Sequence, residues 1–271
     1  MRLFRQKMPF KALIGLLIVI ISISGAMFAP ILAPYPEADV LGRAWAAPSA
    51  GHWLGLDNLG RDVLSRLLYG ARLSIGLSLL ITALSFTIGV FTGFSAAVLG
   101  KTIDMILSRA VDLLLSMPAL IFAMVVLSVL GTDLAVLIVT IAILDATRIF
   151  RVSRSLAMNI ATLDFVEAAR LRGEGLWWIL RREILPNALA PLVAEFGLRF
   201  CFTFLFISAL SFLGLGIQPP NADWGSMVKD YSAMIMLGVP TVFYPAGAIA
   251  TLTIGINLLV DWLVSTSAAK H

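Results

Sequence analysis

Four charged residues stand inside otherwise apolar stretches. Glu195 and Arg199 are four apart, and Asp145 and Arg148 are three apart. Both spacings put the partners on one face of a helix, where they can pair. Charges at membrane depth are costly and usually face the protein interior or a watery cavity. Two readings are open for each pair: a lining of a translocation path, or a structural ion pair near the cytoplasmic end of its helix. Neither pair joins a nucleophile, a base and an oxyanion donor, so no catalytic residue is assigned. His52 and His271 are far apart, and Cys201 is the only cysteine. These residues offer neither a metal site nor an internal disulfide. No GxxxxGK[ST] phosphate loop is present, so this chain does not bind and hydrolyse ATP in that manner.

The elements that carry these residues follow from composition. Of 271 residues, 59% are hydrophobic and only 13% charged. An average soluble domain is about 25% charged. A chain surrounded by lipid needs no polar coat, so the fold class is all-α, a polytopic membrane protein. It reads as one transmembrane domain over 1–271. Six stretches are long and apolar enough to cross: roughly 12–33, 73–99, 110–130, 134–152, 188–212 and 240–264. The first is about 20 residues, longer than a usual signal-peptide core of about 7–15, so it reads as a retained span. The basic residues flank apolar segments instead of forming one patch, which argues against nucleic-acid binding.

Placing 1–11 inside puts fourteen Lys and Arg on the cytoplasmic side. Five fall outside (Arg43, Arg61, Arg66, Arg72 and Lys229), and Arg199 stays within a span, which accounts for all 20. The positive-inside rule then places both termini in the cytoplasm. Trp45, Trp53 and Trp224 fall in the outer connections 34–72 and 213–239, and Trp177 and Trp178 in the inner one, 153–187. They suit either the headgroup zone or ordinary packing. In the outer connection, Val63, Leu64, Leu67 and Leu68 have helical spacing, so 55–66 reads as an amphipathic surface helix.

The inner connection contains Asp164-Phe-Val-Glu-Ala-Ala-Arg-Leu-Arg-Gly173. Asp164 with Glu167 three residues on resembles a capping box. Ala168, Ala169, Arg170 and Leu171 favour helix, and Gly173 can end it in the left-handed conformation. Glu167 reads as a cap and docking residue, not an acid catalyst. A second helical stretch is expected over 176–185, with Pro186 suited to the first turn of the next membrane helix. A helix of two turns is marginal alone in water. It needs a surface, either a cytoplasmic partner or the membrane itself.

Glu167-Ala168-Ala169, Gly173, Ile184, Leu185, Pro186 and Asn187 resemble the EAA motif of ABC importer permeases. The spacing of six from Glu167 to Gly173, and thirteen from there to Pro186, is also the family's. Gly55-Leu-Asp57 through Gly60-Arg61-Asp62 to Arg66, and Tyr69-Gly-Ala-Arg72-Leu-Ser, resemble the outer segment of the dipeptide, oligopeptide and nickel permeases. So does Ser211-Phe-Leu-Gly214-Leu-Gly216-Ile-Gln-Pro-Pro220 with Trp224-Gly225. The resemblance runs from about 10 to 262 and is closest to the DppC/OppC type.

The resemblance implies the type I importer, or MetI-like, permease fold. It implies a coupling helix at Asp164–Gly173 that docks on an ATPase, structurally supported by Ile184, Pro186 and Asn187. Expected partners are a second homologous permease, two ATP-binding subunits or domains and an extracytoplasmic solute-binding protein. ATP and Mg would bind those ATPases, with no cofactor on this chain. Residues Asp57, Gly60, Arg61 and Asp62 would form an outer-face motif that helps gate the cavity, contacts the binding protein or anchors at the interface. The expected location is a bacterial or archaeal cytoplasmic membrane. Peptides are the expected solutes, with nickel chelates or other small polar compounds as the alternative. This chain departs from the family at Glu183, usually histidine, and at Asp145-Ala-Thr-Arg148, where a tryptophan is frequent. Phe206–Leu210 lacks a frequent glutamate, and the usual acidic C-terminal pattern is missing. An ion-coupled secondary transporter would need inverted repeats and mid-membrane coupling residues, and no clear repeat is visible.

Overall fold

A computed structural model of the chain describes residues 8–268. Arg2, Arg5, Lys7, Lys270 and His271 lie outside the described residues. No strand occurs among those described. Helix α1 (Phe10–Met27) and the short α2 (Ala29–Leu32) are followed by a long loop. Helix α3 (Val63–Val98), α4 (Lys101–Leu115), α5 (Ala119–Leu130) and α6 (Leu134–Ala161) come next. The short α7 (Asp164–Leu171) and α8 (Leu176–Ile179) lead through a π-turn, Leu180–Ile184, into α9 (Leu185–Phe212). Helices α10 (Trp224–Ser232) and α11 (Phe243–Ala268) complete the order.

Four helical stretches are long and apolar enough to cross a membrane: 10–27, 63–98, 176–212 and 240–266. The pair α4 and α5 makes a fifth if counted as one span. Helix α6 has 28 residues but carries Asp145, Arg148, Arg151 and Arg154. Counting it gives the expected six.

Three expectations about the elements need correction. Residues 55–66 are not a surface helix. Gly55 and Gly60 have φ of 78° and 80°, which ends any helix there, and Asp62 caps α3 by accepting from the Ser65 amide at 2.8 Å. Val63, Leu64, Leu67 and Leu68 are instead the first turns of α3. The stretch 110–130 is not one straight helix, because α4 and α5 meet at 85°. Pro118 removes an amide and disfavours the helical conformation of Met117 before it. The segment 176–185 is not separate from the next span, because the helix runs on from Leu176 to Phe212. Pro186 has no amide to give the Arg182 carbonyl, and its ring crowds that carbonyl, so the ladder widens to a π-turn in which the Leu185 amide bonds Leu180. Asn187 Nδ2 donates to the Glu183 carbonyl at 2.6 Å.

The frame is the pair α3 and α6, the most extensive helix contact in the chain. Ser85, Gly89 and Gly93 recur every four residues along α3, so they form one small-residue stripe. Small stripes let helix backbones approach closely where burial from water supplies no force. A Cβ at Gly89 would stand 2.6 Å from Ile149 Cβ and 2.8 Å from the Ala146 carbonyl. At Gly93 it would stand 2.7 Å from the Phe150 carbonyl. Helix α1 closes on α11 the same way, through Gly15 against the Gly255 carbonyl.

Gly89→Val is therefore expected to separate α3 from α6 and lower the thermal midpoint in detergent, at a cost of about 1–3 kcal/mol. Gly76→Val adds bulk to the same helix where nothing lies within 4 Å, and should leave that midpoint unchanged. Equal effects of the two variants would show that the close approach carries no special strain.

Candidate functional site

Helix α7 is held to the body by two side chains. Val166 and Ala169, three apart, are fully buried, while Asp164, Phe165, Glu167, Ala168, Arg170 and Leu171 face outward. Val166 and Ala169 join a cluster made by Phe94 of α3, Ala157 of α6, Ile179 of α8, Ile184 of the π-turn, and Ala188 and Leu192 of α9. One short helix thus shares a core cluster with the ends of three long ones, packing directly on α6 and α8. Ala169 serves this anchoring and is turned away from any external surface. Leu171 is 84% exposed, an apolar residue with no neighbour to cover it.

The expected capping box does not form. The N-cap is Leu163, which has no side-chain bond to offer, and Asp164 is already the first helical residue. Asp164 and Glu167 both lie in the first turn and Arg170 in the last. These charges oppose the helix dipole and stabilise α7 without a cap bond. The stop at Gly173 forms as expected. Its φ is 81°, its amide bonds the Arg170 carbonyl at 2.9 Å, and the Glu174 amide bonds Ala169 at 3.2 Å. That is the Schellman arrangement, which needs a left-handed residue at this position. Of the supporting residues, Ile184 is buried in the cluster, while Pro186 and Asn187 are exposed and shape the π-turn.

The membrane charges are arranged differently from their sequence spacing. Glu195 and Arg199 do pair, with Oε1 and Nε 2.7 Å apart. Asp145 turns to Arg199 as well, at 3.5 Å across the seam between α6 and α9. Thr203 Oγ1 donates to Asp145 at 3.4 Å. The expected Asp145–Arg148 pair does not form. Arg199 is thus shared by two carboxylates and also lies 4.9 Å from the Phe202 ring centre. Arg148 is exposed and borders a cavity of about 60 Å³ with Asp145, Phe202 and Ala119, at the start of α5.

At the other end, the loop before α3 folds around one buried carboxylate. Asp57 is fully buried. Its Oδ1 accepts the amides of Leu59 at 2.8 Å and Arg61 at 2.9 Å, and its Oδ2 accepts Arg61 Nε at 2.8 Å. Arg66 Nε is 3.3 Å away. Gly60 packs on the Gly42 carbonyl, with no room for a side chain. Asp62 caps α3 and meets His52 Nδ1 at 3.1 Å. Tyr231 of α10 is buried beside this group, and burial raises its phenol above the ordinary range. Asp57, Gly60, Arg61 and Asp62 are therefore brought together as one unit.

Sequence reasoning missed several partners. Glu37 accepts from the Ala222 amide at 2.9 Å, and its carbonyl accepts from Arg66 at 3.1 Å, so it ties both outer loops together. Arg154 holds Asp104, and Arg151 holds Asp112 at 2.7 Å, fastening α4 to the end of α6. These pairs are separated by 29 to 185 residues, so no local spacing announces them. Of the tryptophans, Trp224 is buried against Phe204, whereas Trp53 and Trp177 are largely exposed.

A bundle with four helical stretches apolar enough to cross a membrane, or five with α4 and α5 counted as one, has the form of a multi-pass membrane subunit. The chain matches, over residues 85–269, the family described as binding-protein-dependent transport system inner membrane component. It belongs to that family, whose fold is MetI-like, and it is a permease rather than an enzyme. Within the family it is of the DppC/OppC type of ABC importer permease. It is 35% identical to a dipeptide transport system permease protein DppC of Alkalihalophilus pseudofirmus, over 93% of this chain and 83% of the relative. It is 32% identical to a glutathione transport system permease protein GsiD of Pectobacterium atrosepticum, over 91% and 83%. It is 34% identical to a probable D,D-dipeptide transport system permease protein DdpC of Escherichia coli, over 90% and 82%.

Because Arg199 serves two carboxylates, its loss should exceed the loss of either partner. Arg199→Gln leaves both acids unpaired in the seam and is expected to cost about 3–5 kcal/mol. Asp145→Asn and Glu195→Gln each leave Arg199 one partner and should cost less. Denaturation midpoints of the three variants in detergent test this order. Similar small losses for all three would show that the triad is not a structural bond.

Proposed function

We propose that this chain forms half of the translocation pathway of an ATP-driven peptide importer, with a second homologous permease forming the other half. Helix α7 would be the contact with the motor. The observation that carries this reading is the geometry of α7. Its inner face packs against α6 and α8 within a cluster that α3 and α9 also join, and its outer face leaves Leu171, Phe165 and Ala168 exposed among the described residues. A helix of eight residues has too little propensity to stand alone, yet its stop at Gly173 fixes its length. Force applied to such an element passes to α6 and α9 together, as a rigid-body movement requires.

The remaining parts follow from that role. Two ATP-binding subunits or domains would supply ATP hydrolysis and hold Mg, and a solute-binding protein outside would deliver the peptide. Both termini and the 153–187 segment would lie in the cytoplasm, which the distribution of Lys and Arg supports. The whole of 1–271 would be one transmembrane permease domain. Peptide as the solute rests on the names borne by the relatives. The unit around Asp57 would be a rigid outer lid, placed where a binding protein would dock. The triad at Arg199 would be a structural tie between α6 and α9, with Arg148 nearer the path.

Leu171→Asp should abolish recovery of an ATPase with the tagged chain in gentle detergent, while the second permease is still recovered and the melting curve is unchanged. Gly173→Ala forces a side chain into the left-handed region, at about 1–2 kcal/mol, and should weaken the same recovery partially. Undiminished recovery of the ATPase with Leu171→Asp would remove α7 as the docking element.

A further inference from the structure

On the flank of the bundle, two apolar cavities of about 650 and about 500 Å³ run between α3 and the α8–α9 limb. They share Thr87, Val90 and Leu185, so they form one continuous furrow. Its upper part is lined by Phe86 and Phe196, packed edge to face with ring centres 5.1 Å apart. Its lower end opens beside Trp177 and Arg181. From Leu99 to Ala83 the furrow follows sixteen residues of α3, about 24 Å at 1.5 Å per residue. One leaflet with its headgroup zone is about 20–22 Å deep.

We infer that this furrow holds one anionic phospholipid, its acyl chain lying along α3 and its phosphate at Arg181. The shape selects a lipid over a helix of another subunit. A crossing helix would need a groove as long as the whole bilayer, whereas this furrow matches one leaflet. The charge selects the headgroup. Arg181 is exposed and makes no ion pair among the described residues, and guanidinium binds phosphate in a bidentate fork. Trp177, 65% exposed, stands at the same mouth, and indole favours the headgroup level. A polar solute would find almost nothing to bond along the walls, which are apolar but for Thr87 and Ser95.

The assignment to the cytoplasmic leaflet rests on the orientation proposed above. Retention of the lipid does not depend on it, so either can fail alone.

The test uses the intact complex, exchanged into vesicles of phosphatidylcholine with phosphatidylglycerol and released into mild detergent. Native mass spectrometry then counts the lipid that stays bound. The wild type should retain phosphatidylglycerol in preference. Arg181→Gln should cut that retention about tenfold, because a charge-assisted contact is lost, and Arg181→Lys should keep most of it. Val90→Trp should crowd out both lipids, while Arg109→Gln, a basic residue of α4, should change nothing. Equal retention of phosphatidylglycerol in the wild type, Arg181→Gln and Val90→Trp would overturn the proposal. So would a disulfide in native membranes between Val90→Cys and the second permease, since protein would then fill the furrow.

Discussion

A polar group in hydrocarbon has no water to bond, so each one must find its partner within the protein. Much of this structure follows from that constraint. Pro186 withholds an amide, and the chain answers with a π-turn and an Asn187 side-chain bond. Arg199 enters the apolar seam only because two carboxylates meet it. The hydroxyls of Ser78, Thr82 and Ser85 bond back to carbonyls of their own helix. Outside the spans the same rule builds the lid, where the Asp57 carboxylate satisfies two amides and a guanidinium that would otherwise be buried unbonded.

Satisfied polar groups leave close packing to decide which helices move together. Helices α3 and α6 meet along glycine and serine at separations that admit no side chain, so they behave as one body. Helix α9 joins them through the Arg199 triad and through the Phe94–Leu192 cluster. Helix α7 sits on that cluster. A displacement of α7 therefore reaches the whole frame, with no flexible link between.

Much of the fold was legible in the sequence because apolar length is a strong signal. The spans, the α7 helix and its glycine stop were placed by composition, propensity and the left-handed demand at Gly173. Element type at 55–66 was misread because Leu and Val spacing was weighed and the two positive-φ glycines were not. The bend at Pro118 and the π-turn were also written in the chain, as prolines whose missing amides had to be absorbed somewhere. The stripe of Ser85, Gly89 and Gly93 was visible but not used. The pairs Arg154–Asp104 and Glu37–Ala222 were not legible at all, since contacts across 50 and 185 residues depend on the finished packing. The partners of Asp145 were misassigned for the same reason: the nearest charge in sequence was not the nearest in space.

The π-turn fixes a length as well as a shape. Between Gly173 and Pro186 it inserts one residue more than an α-helix of the same rise would need. Each residue of a helix turns the chain by about 100°. Deleting any one residue from 180–184 would swing Ile179 and everything before it by about that angle around the axis of α9. The cluster that Val166 and Ala169 share with Ile179 and Ile184 would then lose its register. The side chains in this stretch can vary widely while the number of residues cannot, so the segment works as a spacer whose tolerance is for composition and not for count.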